Sequence, residues 1–300
     1  MSGGVFAVKV RGRLEPRGVG DLAVRSDDSP TGPRLVLAPY LSPSVCERLR
    51  EAGLSFLDLA GNSRIELEEP GLLLQTQGAK TNPDRSARPS RSLRGPKAGR
   101  IMRLLIDARV PPGVRELAAR AGVNAGYASR IVALLDREAL VERQGYGRIV
   151  KADWNRLLRR WAQDAPLESR GLQITSLEPR GLGVLLARLR EFTGRYALTG
   201  TLAVEKLAPV APSRMAMLYL EDAAEVMSGL GLRSAEAGAN VVLIEPNDDG
   251  VFVGASMRDG LTCVATSQAA VDLLTSPGRG PTEAEALITW MAEHEDVWRG

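Results

Sequence analysis

One histidine among 300 residues is the sparsest feature of this sequence. Ser-His-Asp and Cys-His mechanisms turn on a central imidazole, and histidine-ligated metal sites usually take more than one. His294 stands near the end of a predicted C-terminal helix and reads as a surface residue. Two cysteines, Cys46 and Cys263, lie far apart in different predicted domains. Their spacing frames neither a metal site nor a disulfide scaffold, so a reducing cytosol is the expected compartment. Aromatic residues make up only 4%, which leaves core packing to Leu, Val, Ile and Ala. No apolar run approaches the roughly 20 residues of a transmembrane helix. The apolar stretch at 5–8 is too short for a signal peptide, and no export is expected. The net charge is only +3, so the placement of charge carries more information than its sum.

An apolar content of 44% over this length supports two or three globular domains. The most informative stretch runs from Lys97 to Asp153. Ile101, Leu104, Leu105 and Ala108 recur at i, i+3, i+4 and i+7, the stripe of an amphipathic helix. Pro111-Pro112-Gly113 stops it. Val114, Leu117, Ala118 and Ala121 line a second short helix, and Gly122 suits a left-handed C-terminal position. Asn124 offers an N-cap for a third helix at 125–138, with Ala128, Ile131, Val132 and Leu135 on its buried face. Two short strands at 140–143 and 148–151 then flank a Gly-rich, basic, aromatic turn. Helix, helix, helix, hairpin is the order of a winged helix-turn-helix, in which the third helix enters the major groove. Such domains also serve protein contacts. The outward residues of the third helix favour DNA. Gly126, Tyr127, Ser129 and Arg130 fall off the apolar face, where Tyr127 suits a phosphate or a thymine methyl and Arg130 a guanine edge or a phosphate. At the wing, Arg143, Tyr146 and Arg148 suit the flanking backbone or minor groove. With Asn124, these are the predicted DNA-binding residues.

Three further segments surround this one. Residues 1–78 read as an α/β domain. It has a strand at 34–38, a helix capped by Ser42 with Pro43 at its first position, and strands at 55–59, 64–67 and 72–76. Residues 79–96 form a basic linker in which Lys80, Arg85, Arg88, Arg91 and Arg94, with Lys97 just beyond, face one acid, Asp84. This composition cannot bury a core of its own. Residues 153–300 begin with a helix capped by Asp153 and continue as alternating helices and strands. Asp248-Asp249-Gly250 reads as a surface turn.

Several segments together resemble one family. They are the winged helix, the run Tyr196-Ala197-Leu198-Thr199-Gly200-Thr201-Leu202-Ala203, and the ending Val271-Asp272-Leu273-Leu274 with 278–287. Over residues 97–300 they look like the AbiEi antitoxins of type IV toxin–antitoxin systems. The resemblance implies a bacterial DNA-binding repressor whose C-terminal domain serves regulation or antitoxicity. About 95 residues precede the winged helix here, a departure from the usual antitoxin.

The N-terminal domain resembles a restriction-endonuclease-like fold, with Asp58 near the start of one strand. Activity in that fold needs this Asp plus a Glu and a Lys on the next strand to hold Mg²⁺ and polarise water. The corresponding strand carries Gln75 and Gln77, and Glu66-Leu67-Glu68 also lacks the lysine, so the site reads as degenerate. Asp58 and Asn62 then read as turn-stabilising residues. A nucleotidyltransferase reading of the C-terminal domain fails because no Asp-x-Asp follows Gly200-Thr201. The expected fold class is multi-domain α/β. A central winged helix-turn-helix is flanked by the endonuclease-like α/β domain and an AbiEi-like α/β domain. The expected function is a non-catalytic, cytoplasmic and nucleoid-associated transcriptional regulator without cofactor or metal. Its expected partners are double-stranded DNA, a second copy in a homodimer, and a cognate toxin or small effector. Two alternatives stand: an antitoxin neutralising a nucleotidyltransferase-like toxin, and a winged-helix-targeted nuclease.

Overall fold

A computed structural model of the chain describes residues 6–12, 14–23, 32–68, 71–79, 83, 93–145 and 147–300. The protein is mixed α/β, with three sheets and helices interspersed along the chain. It divides into two compact units, Met1–Ser92 with Val132–Val141, and Leu93–Ile131 with Glu142–Gly300. Most of the basic linker, including Lys80, Arg85, Arg88 and Arg91, lies outside the described residues. Among the described residues no helix is long and apolar enough to cross a membrane.

The first unit is built on strands β1 (Ala7–Val10), β2 (Arg34–Ala38), β3 (Ser55–Asp58), β4 (Ser63–Leu67) and β5 (Leu72–Thr76), hydrogen-bonded in that order. The first three run parallel, and the last two continue antiparallel. Helices α1 (Val19–Ala23) and α2 (Pro43–Glu51) supply Val19, Leu22, Val45 and Leu49 to a core that also holds Val36, Ala38 and Phe56. Ser42 Oγ accepts from Val45 N at 3.4 Å, and Pro43 opens α2, as the capping signal predicts. Burial pushes the Cys46 thiol up to about 12, so it stays protonated and unreactive near neutrality. One strand position differs from expectation. Asp58 is the last residue of β3, not near its start.

In the second unit, α3 (Pro96–Asp107), α4 (Val114–Arg120) and α5 (Ala125–Arg137) follow one another, α5 continuing into the first unit's residues. Strands β6 (Val141–Gln144) and β7 (Arg148–Ala152) then pair as a hairpin. Beyond them come α6 (Trp154–Asp164), β8 (Gly171–Leu177), α7 (Leu182–Glu191), β9 (Tyr196–Thr199), α8 (Gly200–Val204), β10 (Ala216–Leu220), α9 (Ala223–Leu230), β11 (Arg233–Ser234), β12 (Val241–Pro246), β13 (Ser256–Arg258), β14 (Leu261–Cys263), α10 (Thr266–Thr275), α11 (Gly280–Glu293) and α12 (Glu295–Trp298). Seven of these strands form one mixed sheet in the order β11-β8-β12-β10-β9-β14-β13. α10 packs against α3, α6, α8 and α11 and is buried along most of its length. Two sequence readings are refined here. Asp248 is no free surface turn: it caps a 3-10 turn through Gly250 N at 2.9 Å and pairs with Arg100 on α3. His294 is half-buried, its ring stacked on Trp290 at 4.7 Å between centroids.

Asp272, on α10, is fully buried. Its Oδ2 accepts from Thr199 Oγ1 at 2.7 Å and Tyr219 Oη at 3.1 Å. Its Oδ1 accepts from Gln268 Nε2 at 2.7 Å and lies 3.0 Å from Arg170 Nε. Burial pushes this carboxyl above its ordinary value, opposed by Arg170 and by the hydroxyl and amide donors. Three hydrogen-bond donors and the Arg170 cation face its two oxygens, and that set favours the ionised form against the cost of burial. Burial likewise pushes the Tyr219 phenol well up, so it remains a donor. Removing one partner of a buried pair leaves the other uncompensated. Asp272→Ala is therefore expected to destabilise the protein by about 3–5 kcal/mol, measured by urea unfolding. An unchanged midpoint would show that the pair is dispensable.

Candidate nucleic-acid interface

The three helices and hairpin form because apolar periodicity and turn chemistry agree. On α3 and just after it, Ile101, Leu105 and Ala108 are buried and Leu104 is half-buried. Val114, Leu117, Ala118 and Ala121 are buried on and just after α4, and Gly122 has φ +62°. Ala128, Ile131, Val132 and Leu135 form the buried stripe of α5. Gly145 has φ +65° at the hairpin turn. Gly147 O accepts from Val114 N at 3.0 Å, so the hairpin turn satisfies a donor that the start of α4 leaves open.

The predicted site residues then separate by role. Asn124 is exposed, but its Oδ1 accepts from Tyr127 N at 2.7 Å. It is the N-cap of α5. Gly126 is exposed, and Ser129 is half-buried. Tyr127 is half-buried; burial raises its phenol pKa, opposed by Arg130. Arg130 is exposed, and its Nε donates to Gly126 O at 3.2 Å. Its guanidinium carbon lies 5.9 Å from the Tyr127 ring centroid, so the two side chains form one surface feature. On the hairpin, Arg148 is exposed and Arg143 half-buried. Tyr146 lies outside the described residues. Lys151 on β7 stands 3.6 Å from Glu142 and is partly neutralised.

The structure also gathers residues that sequence reasoning did not single out. Arg100 pairs with Asp248 through Nε to Oδ1 at 3.1 Å and Nη2 to Oδ2 at 2.5 Å. Arg103 donates to Val253 O at 2.7 Å and to Gln268 Oε1. Its guanidinium carbon and that of Arg170 lie 5.8 and 4.8 Å from the Trp161 ring centroid. A signal was available: Arg103 interrupts the apolar face of α3, and Asp272 the apolar face of α10. A charge on a buried face implies a partner. Among the described residues no group of three or more His, Cys, Asp or Glu could hold a metal ion. No family model matches the chain, and no curated protein and no solved structure matches it.

The cap has a measurable consequence. Asn124→Ala is expected to cost about 1 kcal/mol of stability, whereas Asn124→Ser is expected to cost little because serine also caps. Thermal unfolding of both variants checks this. Equal losses would assign Asn124 another role.

Proposed function

We propose that the protein is a non-catalytic, sequence-specific DNA-binding regulator that reads DNA with α5 and the β6–β7 hairpin. The observation that carries this reading is exposed Arg130 against half-buried Tyr127 on the outer side of the third helix of a three-helix-and-hairpin segment. That order is the arrangement of a winged helix-turn-helix. The resemblance of residues 97–300 to AbiEi antitoxins supports the same reading, with a regulatory C-terminal domain and a cognate toxin or small effector as partner. A cytoplasmic, nucleoid-associated location follows from this function. Self-association is favoured by Leu72, Leu73 and Leu74, all exposed on β5, the outer strand of its sheet among the described residues. An unpaired apolar edge is a template for a second copy, and a homodimer would read half-sites about one helical turn apart.

The degenerate-endonuclease reading of the first unit agrees with the commitments of Asp58. Its carboxylate accepts from Leu41 N at 2.9 Å and from Ala60 N, Asn62 N and Asn62 Nδ2 at 2.8 Å each. Gln75 Oε1 accepts from Arg64 at 3.2 Å. These side chains hold a turn and a sheet surface. Asp58→Ala is expected to destabilise this unit by about 1–3 kcal/mol, and neither parent nor variant is expected to cleave duplex, nicked or single-stranded DNA with Mg²⁺ or Mn²⁺. Cleavage lost in the variant would promote the nuclease alternative.

The central test is selection of bound sites from a random duplex pool, followed by mobility shifts. Arg130→Ala is expected to lose about 1–3 kcal/mol of discrimination between selected and scrambled duplexes. Undiminished discrimination would move the reading surface elsewhere. Arg148→Ala is expected to weaken all sequences alike and to flatten the slope of log affinity against log salt by about one charge. An unchanged slope would remove the hairpin from the backbone contact.

A further inference from the structure

The second unit holds a partly open pocket of about 200 Å³ between α3, α4, α6, the residues just before β8 and the 3-10 turn after Asp248. Four arginines line it, Arg100, Arg103, Arg120 and Arg170, together with Trp161. Two are fully committed. Arg100 is held by Asp248, and Arg103 by Val253 O and Gln268. The other two are not. The Arg170 side chain is 8% exposed, its Nε faces Asp272, and its buried Nη2 has no hydrogen-bond partner among the described residues. Arg120 is half-exposed and only loosely paired with Glu116, at 3.4 Å within its own helix. Asp107 is a further nearby carboxylate, and it acts on Arg103. None of these carboxylates satisfies Arg170 Nη2.

A glycine lies along the wall of the hollow. Gly99 lines it from the middle of α3. A Cβ there would meet the Trp161 ring first, at 3.5 Å, an ordinary contact. Neither the backbone nor crowding requires glycine at that position. Glycine in a helix interior costs about 1 kcal/mol against alanine, so the open volume is maintained at a cost to stability. A buried donor without a partner is a cost of the same kind.

We propose that this cavity binds a small organic anion, its carboxylate or phosphate held by Arg170 and Arg120 and its apolar body lying against Trp161. A planar fork of donors suits either oxyanion. The volume falls below the roughly 300–1,000 Å³ of clefts for drug-sized ligands, so the occupant is a single-ring or smaller metabolite. It would touch α3 and α4, and any effect on DNA rests on the DNA-binding reading above; the binding itself does not.

The test uses the full chain and reads no DNA. The sequence holds four tryptophans, so an indole ¹⁵N–¹H spectrum has four resonances, and Trp161→Phe assigns the relevant one. Benzoate, phenyl phosphate and neutral benzamide are titrated in turn. Benzoate or phenyl phosphate is expected to shift the Trp161 resonance saturably, and the tighter of the two identifies the oxyanion; benzamide is expected to leave it in place. Arg170→Gln is expected to weaken the anion about tenfold or more. Because that change also breaks a buried ion pair, Gly99→Leu, which fills the hollow, and Arg120→Gln, on the surface, are measured beside it. Gly99→Leu is expected to abolish the response and Arg120→Gln to weaken it. No saturable shift with either anion, an equal response to benzamide, or a full response in Gly99→Leu would overturn the proposal.

Discussion

A carboxylate with no solvent must be held by the protein, and Asp272 sets that requirement for the second unit. Its partners come from β9, β10, α10 itself and the residue that precedes β8, so satisfying one charge fixes several elements at once. Gln268 extends the arrangement, because its amide nitrogen serves Asp272 while its oxygen receives Arg103 from α3. Arg103 and Arg170 both lie near the Trp161 ring, which brings α6 into the same cluster. A half-satisfied network of this kind is worse than an apolar core. These elements are therefore held together by directional bonds as well as by apolar burial.

The candidate interface follows a different logic. On α5 the buried stripe is apolar, and the polar residues divide between holding the helix and facing outward. Asn124 is occupied by capping, while Tyr127 and Arg130 remain on the surface, in contact with each other. Arg130 also bonds its own helix at Gly126 O. Reaching a base edge would require giving up that exposed bond, which costs little because water competes for it in any case.

In the first unit, the same residue types carry a structural load. Asp58 and Asn62 close the turn between β3 and β4, and Asn62 Oδ1 also accepts from Gly78 N at 2.9 Å. A carboxylate that already accepts four donors is a poor place for a cation. The unit instead exposes apolar residues on its outer strand.

The sequence by itself determined the local elements whose signals were redundant. Apolar stripes of period 3.6, the Ser42, Asn124 and Asp153 caps, and the glycines at 53, 122 and 145 each act within a few residues, so α2 to α6 and the β6–β7 hairpin were legible. The exposed role of Arg130 follows from that same periodicity. Strands β8 and β9 were not read as strands. β8 mixes polar and apolar residues with a single buried position, and β9 has only four residues, all buried, so neither alternates in the way a half-buried strand does. The seven-strand order, the Arg100–Asp248 pair across 148 positions and the Asp272 cluster were decided only by tertiary structure. Pairing between distant residues leaves no periodic trace along the chain. It arises when burial removes water and each charge must find whichever partner the fold brings within reach.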